Sequence, residues 1–270
     1  MNRIDRKFAE QRALKQPAFI PFLTIGDPDV RTSIDIIKEL EKTGASIVEL
    51  GVPYSDPLAD GPVIQRSSQR ALKGARISIL DVIGAAKTAR SEGCELPFIL
   101  FTYYNPVLQI GLERIFPILA ENEISGLIIP DLPMEEDAEV RVLAERYNIH
   151  LIPLVAPTSK ERVQRIASRA SGFVYCVSSL GVTGTRTQFH TGIDEFLDTV
   201  KKSTNLPIAV GFGISNHEQY ARFSQICDGV VVGSALVRQV EDALPLLTNE
   251  QTKSQGLLQI HKYVRELMGN

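Results

Sequence analysis

Eight short apolar runs, spread along nearly the whole chain, limit its fold more than any other feature of the sequence. They are AFIPFLT (18–24), ASIVELG (45–51), LPFILFT (96–102), ISGLIIP (124–130), IHLIPLV (149–155), GFVYCVS (172–178), LPIAVGF (206–212) and CDGVVVG (227–233). Few polar residues alternate within them, which is the pattern of strands covered on both faces rather than one. The stretches between carry helix signals instead. Asp29 precedes the apolar series Ile34, Ile37 and Leu40, and that stretch stops at Gly44. Ser78 opens ILDVIGAAKTARSEG, which also stops at a glycine. Ser159 leads into Val163 and Ile166, Ser215-Asn-His-Glu opens another helix, and residues 255–268 form the last. Ahead of the first run, residues 3–14 predict a helix with Ile4 and Phe8 on its apolar side.

Strands alternating with helices in this number predict an α/β fold closed into a (β/α)8 TIM barrel. It forms one domain over residues 1–270, with an additional N-terminal helix. The competing architecture, an open doubly wound sheet, would place a dinucleotide-binding glycine turn after the first strand, and GxGxxG occurs nowhere. A chain of 270 residues buries roughly three quarters of its unfolded surface, so it needs no staple. Cys94, Cys176 and Cys227 are too sparse for a disulfide framework and read as small buried hydrophobes. Lys and Arg total 29 against 32 Asp and Glu, a net charge of -3 that disfavours a nucleic-acid partner. The N-terminal MNRIDRKFAEQRALKQ is charged and lacks the apolar core of a signal peptide, and no run is long enough to span a bilayer. The expected compartment is the cytoplasm, without a membrane partner.

Two connections stand out. Residues 51–61, GVPYSDPLADG, follow the second strand, and residues 179–192, SLGVTGTRTQFHTG, follow the sixth. In a barrel both lie on the C-terminal face, where active sites are built. Glu49 sits inside the apolar run Ile47-Val48-Glu49-Leu50, where a carboxylate is costly unless it is paired or used. It is either a structural partner for a group inside the barrel or a general acid/base whose proton affinity is raised by apolar surroundings. Asp60 is either a turn or cap residue of Asp60-Gly61-Pro62 or a second carboxylate returning toward Glu49.

Glycines end the last two strands, in Gly211-Phe212-Gly213-Ile214-Ser215 and Gly233-Ser234-Ala235. At those ordinal positions barrels frequently bind phosphate through backbone N–H groups and a helix N-terminus, although the same glycines would serve simply to turn the chain. Gly184 in the sixth connection is a further possible donor. Tyr175 either points into the barrel mouth or fills core. His150, His190, His217 and His261 show no metal-ligand spacing, and no GxSxG, P-loop or HExxH motif occurs.

The segment VELGVPYSDPLADGP (48–62) resembles the signature of tryptophan synthase α subunits. PFLTIGDPD (21–29), YYNPVLQIG (103–111), IIPDLP (128–133), APTS (156–159), YCVSSLGVTGTR (175–186), VGFGIS (210–215) and VVGSALV (231–237) fit the same family in the same order. The departure is Met134, where a second proline is expected. The resemblance implies retro-aldol cleavage of indole-3-glycerol phosphate into indole and glyceraldehyde 3-phosphate. Glu49 matches the principal acid/base and Asp60 the group that stabilises charge on the indole nitrogen. Phe22, Leu100, Tyr175 and Phe212 match positions around the indole, and Thr183 a lid residue that contacts Asp60. Gly184, Gly213, Gly233 and Ser234 match phosphate-binding positions. The resemblance also implies a β subunit in an α2β2 complex, with pyridoxal phosphate held by that partner and no cofactor in this chain. Pro53 and Asp56 are the expected interface residues.

Rival readings are a phosphosugar isomerase, an indoleglycerol-phosphate synthase and a scaffold that keeps a vestigial barrel. A synthase would want a lysine near a strand end, and the eight runs contain none. A vestigial barrel would be expected to have lost Glu49 or Asp60, and both are present.

Overall fold

Most strands are separated by helices along the chain, as the apolar runs predict. The computed structural model describes residues 1–178, 192–211 and 213–270. The first third contains α1 (Arg3–Leu14), β1 (Ala18–Thr24), α2 (Val30–Thr43), β2 (Val48–Gly51), α3 (Pro62–Ala75) and α4 (Ile79–Ser91). Then come β3 (Phe98–Phe101), α5 (Tyr104–Ile110), α6 (Leu112–Glu121), β4 (Ile124–Ile128), α7 (Ala138–Arg146), β5 (His150–Leu151) and β6 (Leu154–Val155). The remainder holds α8 (Lys160–Ser168), β7 (Val174–Val177), α9 (Ile193–Ser203), β8 (Ile208–Gly211), α10 (His217–Ser224), β9 (Gly229–Val232), α11 (Ser234–Leu247) and α12 (Lys253–Met268).

Capping explains several helix starts. Asp29 accepts from the Thr32 N–H at 2.7 Å, and Ser78 with Asp81 forms a reciprocal capping box. Ser159 caps α8, while α10 is capped by Asn216 rather than by the preceding Ser215.

All strand pairs are parallel, in the order β5-β4-β3-β2-β1-β9-β8-β7-β6. The fifth apolar run, expected as one strand over 149–155, is split into β5 and β6. Pro153 has no N–H to donate, so the ladder breaks there. Backbone bonds still join its two neighbours: the Ile152 N–H donates to the Leu127 carbonyl at 2.9 Å, and the Pro153 carbonyl accepts from the Tyr175 N–H at 3.1 Å. The result is a closed (β/α)8 barrel with α1 added at its N-terminus.

Two apolar shells follow from strand alternation. Ile20 and Phe22 of β1, Ile99 and Phe101 of β3, and Tyr175 and Val177 of β7 fill the barrel interior. Their neighbours Phe19, Leu23, Phe98, Leu100, Val174 and Cys176 pack outward against the helices. The interior is sealed at one end by α1, whose Ile4 and Phe8 join the inner shell, with the Phe8 ring centroid 5.3 Å from that of Phe173. Asn2 fixes this plug. Its side-chain oxygen caps α1 through the Ile4 N–H at 2.8 Å, and its Nδ2 donates to the Ser125 carbonyl (2.9 Å) and the Asn148 carbonyl (2.7 Å). Asn2→Ala removes the cap and leaves two carbonyls without that donor, so stability should fall by about 2 kcal/mol, read as a lower urea midpoint at unchanged slope. An unchanged midpoint would show that α1 is held by its apolar face alone.

Candidate active site

Strand β2 positions the first functional side chain. In its parallel ladders Glu49 stands beside Phe22 of β1 and Ile99 of β3, both inner-face residues, so Glu49 also points into the barrel. It is 1% exposed, and among the described residues its Oε1 has no hydrogen-bond partner. Burial, with no compensating cation among the described residues, pushes its proton affinity well above that of an ordinary glutamate. The same group raises the affinity of the buried Tyr175 hydroxyl, after the larger effect of that tyrosine's own burial. Gly211 of β8 makes room for the tyrosine: a Cβ there would lie 2.4 Å from the Tyr175 oxygen.

Asp60 comes from the segment that links β2 to α3. Gly61 is the N-cap of α3 and Pro62 its first residue, a start that needs no side-chain cap and leaves Asp60 at the rim. Asp60 is 6% exposed, and burial raises its proton affinity from the ordinary 3.8 to about 6, opposed by a hydrogen bond from the Tyr103 hydroxyl to Oδ2 at 3.1 Å. The main chain is held as well, by Gln65 Nε2 donating to the Asp60 carbonyl at 2.8 Å. Two carboxyls with raised proton affinities therefore stand on β2 and on the segment that follows it, groups of the kind suited to acid/base chemistry.

Phe22 and Phe101 form an aromatic wall on the inner face, their centroids 5.4 Å apart and their planes at 81°. Among the described residues expected to contact substrate, Leu100 differs from Phe22 and Tyr175. Alternation along β3 sends it outward into the shell beneath the helices, and Phe101 takes the inward place. Neither the sequence pattern nor the resemblance singled out Phe101 or Tyr103. Tyr103 opens the YYNPVLQIG segment, but nothing local marks its hydrogen bond to Asp60, a contact across 43 residues of sequence.

Of the expected phosphate positions, Gly213, Gly233 and Ser234 follow the ends of the last two strands. Gly213 follows β8 with φ of +99°, a conformation suited to glycine. Gly233 caps α11 with no side-chain bond, and Ser234 is the first residue of that helix, so the first-turn N–H groups of a 14-residue helix face the strand ends. Gly233 lies against Phe22: a Cβ on it would be 3.7 Å from the Phe22 Cβ, which places this helix start beside the aromatic wall. Thr183, Gly184 and Phe212 lie outside the described residues. Among those described, no group of three or more His, Cys, Asp and Glu is arranged to hold a metal ion. His150 meets Asp5 at 2.8 Å and His261 meets Glu39 at 2.7 Å.

An ionic network centred on the buried Asp27 supports the rim. Asp27 accepts from Ser67 Oγ at 2.5 Å and from Arg70 Nε and Nη2 at 2.9 and 2.7 Å, and Arg70 also reaches Glu241 of α11 at 2.7 Å. Arg66 adds a forked pair to Glu241 and, with Arg70, holds that carboxyl down at about 2. The network ties the segment after β1 to α3, which begins two residues after Asp60, and to α11, which offers its N-terminus. Of the two expected interface residues, Asp56 is exposed and accepts from Ser55 Oγ at 2.9 Å, while Pro53 is buried. Both line a surface cavity of about 570 Å³ with Tyr54, Asn105 and Ile110.

The family model described as tryptophan synthase alpha chain matches residues 8–268. The tryptophan synthase alpha chain of Geobacillus kaustophilus is 51% identical over 255 residues, covering 94% of this chain and 95% of that protein. That of Bacillus subtilis is 49% identical over 251 residues, covering 93% and 94%. Among solved structures, the alpha subunit of Legionella pneumophila tryptophan synthase superposes with a TM-score of 0.88 at 31% identity, covering 100% of this chain and 98% of that one. A chain of Mycobacterium tuberculosis tryptophan synthase gives 0.86 at 34% identity, covering 99% and 97%.

The displaced proton affinity of Asp60 has a consequence for stability. The folded chain holds this proton more tightly than the unfolded chain, so the group lowers stability as pH rises from about 4 through about 6. Asp60→Asn removes that loss. The variant should gain about 2–3 kcal/mol relative to the parent between pH 4 and pH 8 in urea unfolding. A stability difference that does not change with pH would assign the buried position no electrostatic cost.

Proposed function

This chain belongs to the tryptophan synthase alpha chain family, and on that premise we propose that it cleaves indole-3-glycerol phosphate to indole and glyceraldehyde 3-phosphate by a retro-aldol step. The observation that carries the reading is Glu49, an inward-facing carboxyl whose burial keeps it protonated beside an aromatic wall. Glu49 gives its proton to indole C3. The ring nitrogen becomes cationic, and Asp60, ionised at neutral pH with its proton affinity near 6, accepts the indole N–H and stabilises that charge. Glu49, now a carboxylate, takes the proton of the C3′ hydroxyl. The bond between C3 and C3′ breaks, its electron pair neutralises the ring, and C3′ becomes the aldehyde carbon. Protons balance, and Glu49 ends as it began.

Phe22, Phe101 and Tyr175 supply the apolar slot for the ring. Gly213, Gly233 and the first turn of α11 offer backbone N–H groups to the phosphate. Glu49→Gln keeps the shape and removes the transferable proton. Indole release should fall about 100-fold or more, and Asp60→Asn should also be strongly impaired. A purified Glu49→Gln protein with parental turnover would overturn the assignment.

The partner in this reading is a β subunit that binds pyridoxal phosphate and consumes the indole. Exposed Leu58, Leu80 and Leu108, together with the cavity at Pro53, Tyr54 and Asp56, are the surface features that suit docking. A partner that prefers the closed arrangement of 51–61 aligns Asp60 with Glu49 and activates the chain. Titration of the β subunit should raise the rate of indole formation about ten-fold or more, a coupling above about 1.4 kcal/mol. Asp56→Ala should lower that stimulation more than it lowers the rate of the isolated chain. Equal losses, together with a lowered thermal midpoint, would make Asp56 a turn residue only.

A further inference from the structure

We propose that Tyr103 is a positioning residue for the Asp60 carboxylate, and that stacking on Tyr54 holds Tyr103 in place. The proposal rests on the lyase reading above. Tyr103 is buried at the N-cap of α5, a position fixed by the end of β3 rather than by the segment that carries Asp60. Its hydroxyl uses both of its capacities on that segment. It donates to Asp60 Oδ2 at 3.1 Å and accepts from the Ala59 N–H at 2.9 Å. One oxygen thus grips the carboxylate and the amide of the preceding residue, fixing both the height and the rotation of the Asp60 side chain.

The ring is held in turn. Tyr54 stacks on it with centroids 4.9 Å apart and planes at 23°, and Asn105 Nδ2 approaches the Tyr54 hydroxyl at 3.4 Å. Tyr54 and Asn105 both line the cavity of about 570 Å³ described above. Surface, stacked rings, hydroxyl and carboxylate are therefore in continuous contact. Without this tie, the polar and proline-rich segment 52–60 contains no regular helix or strand, and Asp60 would depend on backbone turns alone for its aim.

The Tyr103 hydroxyl is suited to a permanent hold. Burial and the neighbouring Asp60 charge push its ionisation far above neutral pH, so it remains a donor throughout the working range. As a donor it favours the ionised form of Asp60, which is the form that stabilises a cationic indole.

Tyr103→Phe keeps the ring and the stack and removes the hydroxyl. Turnover of indole-3-glycerol phosphate should lose about ten-fold or more in kcat at pH 6, with partial recovery by pH 8.5 and KM within about three-fold. The titration midpoint of Asp60, followed by carbon-13 carboxyl NMR in the full chain, should rise above that of the parent. Tyr54→Ala should reproduce part of the kcat loss, and Tyr54→Phe, which keeps the stack, should restore it. An active parent with unchanged kcat, pH profile and Asp60 titration in Tyr103→Phe overturns the positioning role and leaves the lyase reading standing. A parent that releases no indole, alone or with a β subunit, overturns both.

Discussion

A carboxyl group held inside an apolar barrel is the constraint on which the rest of the molecule depends. Glu49 has Phe22 and Ile99 as ladder neighbours and is almost wholly shielded from solvent. An ionised carboxylate in such surroundings costs several kcal/mol, so the group remains neutral at pH values where an exposed glutamate is charged. That neutrality survives only while water stays out. The aromatic wall and the plug formed by Ile4 and Phe8 of α1 are thus as much part of the acid as its oxygens.

Asp60 shows how a second carboxyl, raised by burial in the same direction, can be held closer to its ordinary range a short distance along the chain. It is also buried, but a hydroxyl donates to it and moderates the effect of burial. Glu49 is carried by a strand bonded on both sides, whereas Asp60 lies at the end of an irregular segment. The second position therefore needs supports that the first does not. The Asp27–Arg70–Glu241 network anchors α3 directly after Asp60, and Tyr103 reaches it from the end of the next strand. The buried Asp27 carboxylate would be destabilising if left unpaired, and Ser67 and Arg70 complete its pairing, while Arg66 and Arg70 hold the half-buried Glu241.

Closure of the barrel gives each strand two different environments. One face of β3 meets the other strands across the interior, and the opposite face meets helices. Both are dry, so both select apolar side chains. This is why the inward pair Ile99 and Phe101 and the outward pair Phe98 and Leu100 are chemically alike, and why a large aromatic residue two places beyond Ile99 can meet Phe22 edge to face.

Local physics made much of this legible in advance. Period and capping are properties of neighbouring residues, so α1, β1, the Asp29 and Ser78 helix starts, the order of the strands and the anomaly of Glu49 could all be read from the chain itself. The length of the fifth strand could not, because its division depends on whether Pro153 falls where a neighbour needs an N–H. Nor could the exchange of Leu100 for Phe101. A run apolar on both faces contains no record of which face turns inward, and one residue of register inverts the answer. Tyr103 belongs with these. Its partner Asp60 is distant in sequence, and only the parallel packing of β2 beside β3 brings the two connections together at one rim. Sequence determined the elements and the presence of a costly carboxyl, because those follow from short-range chemistry. Tertiary structure decided orientation and partnership, because these arise only when the ring of strands closes.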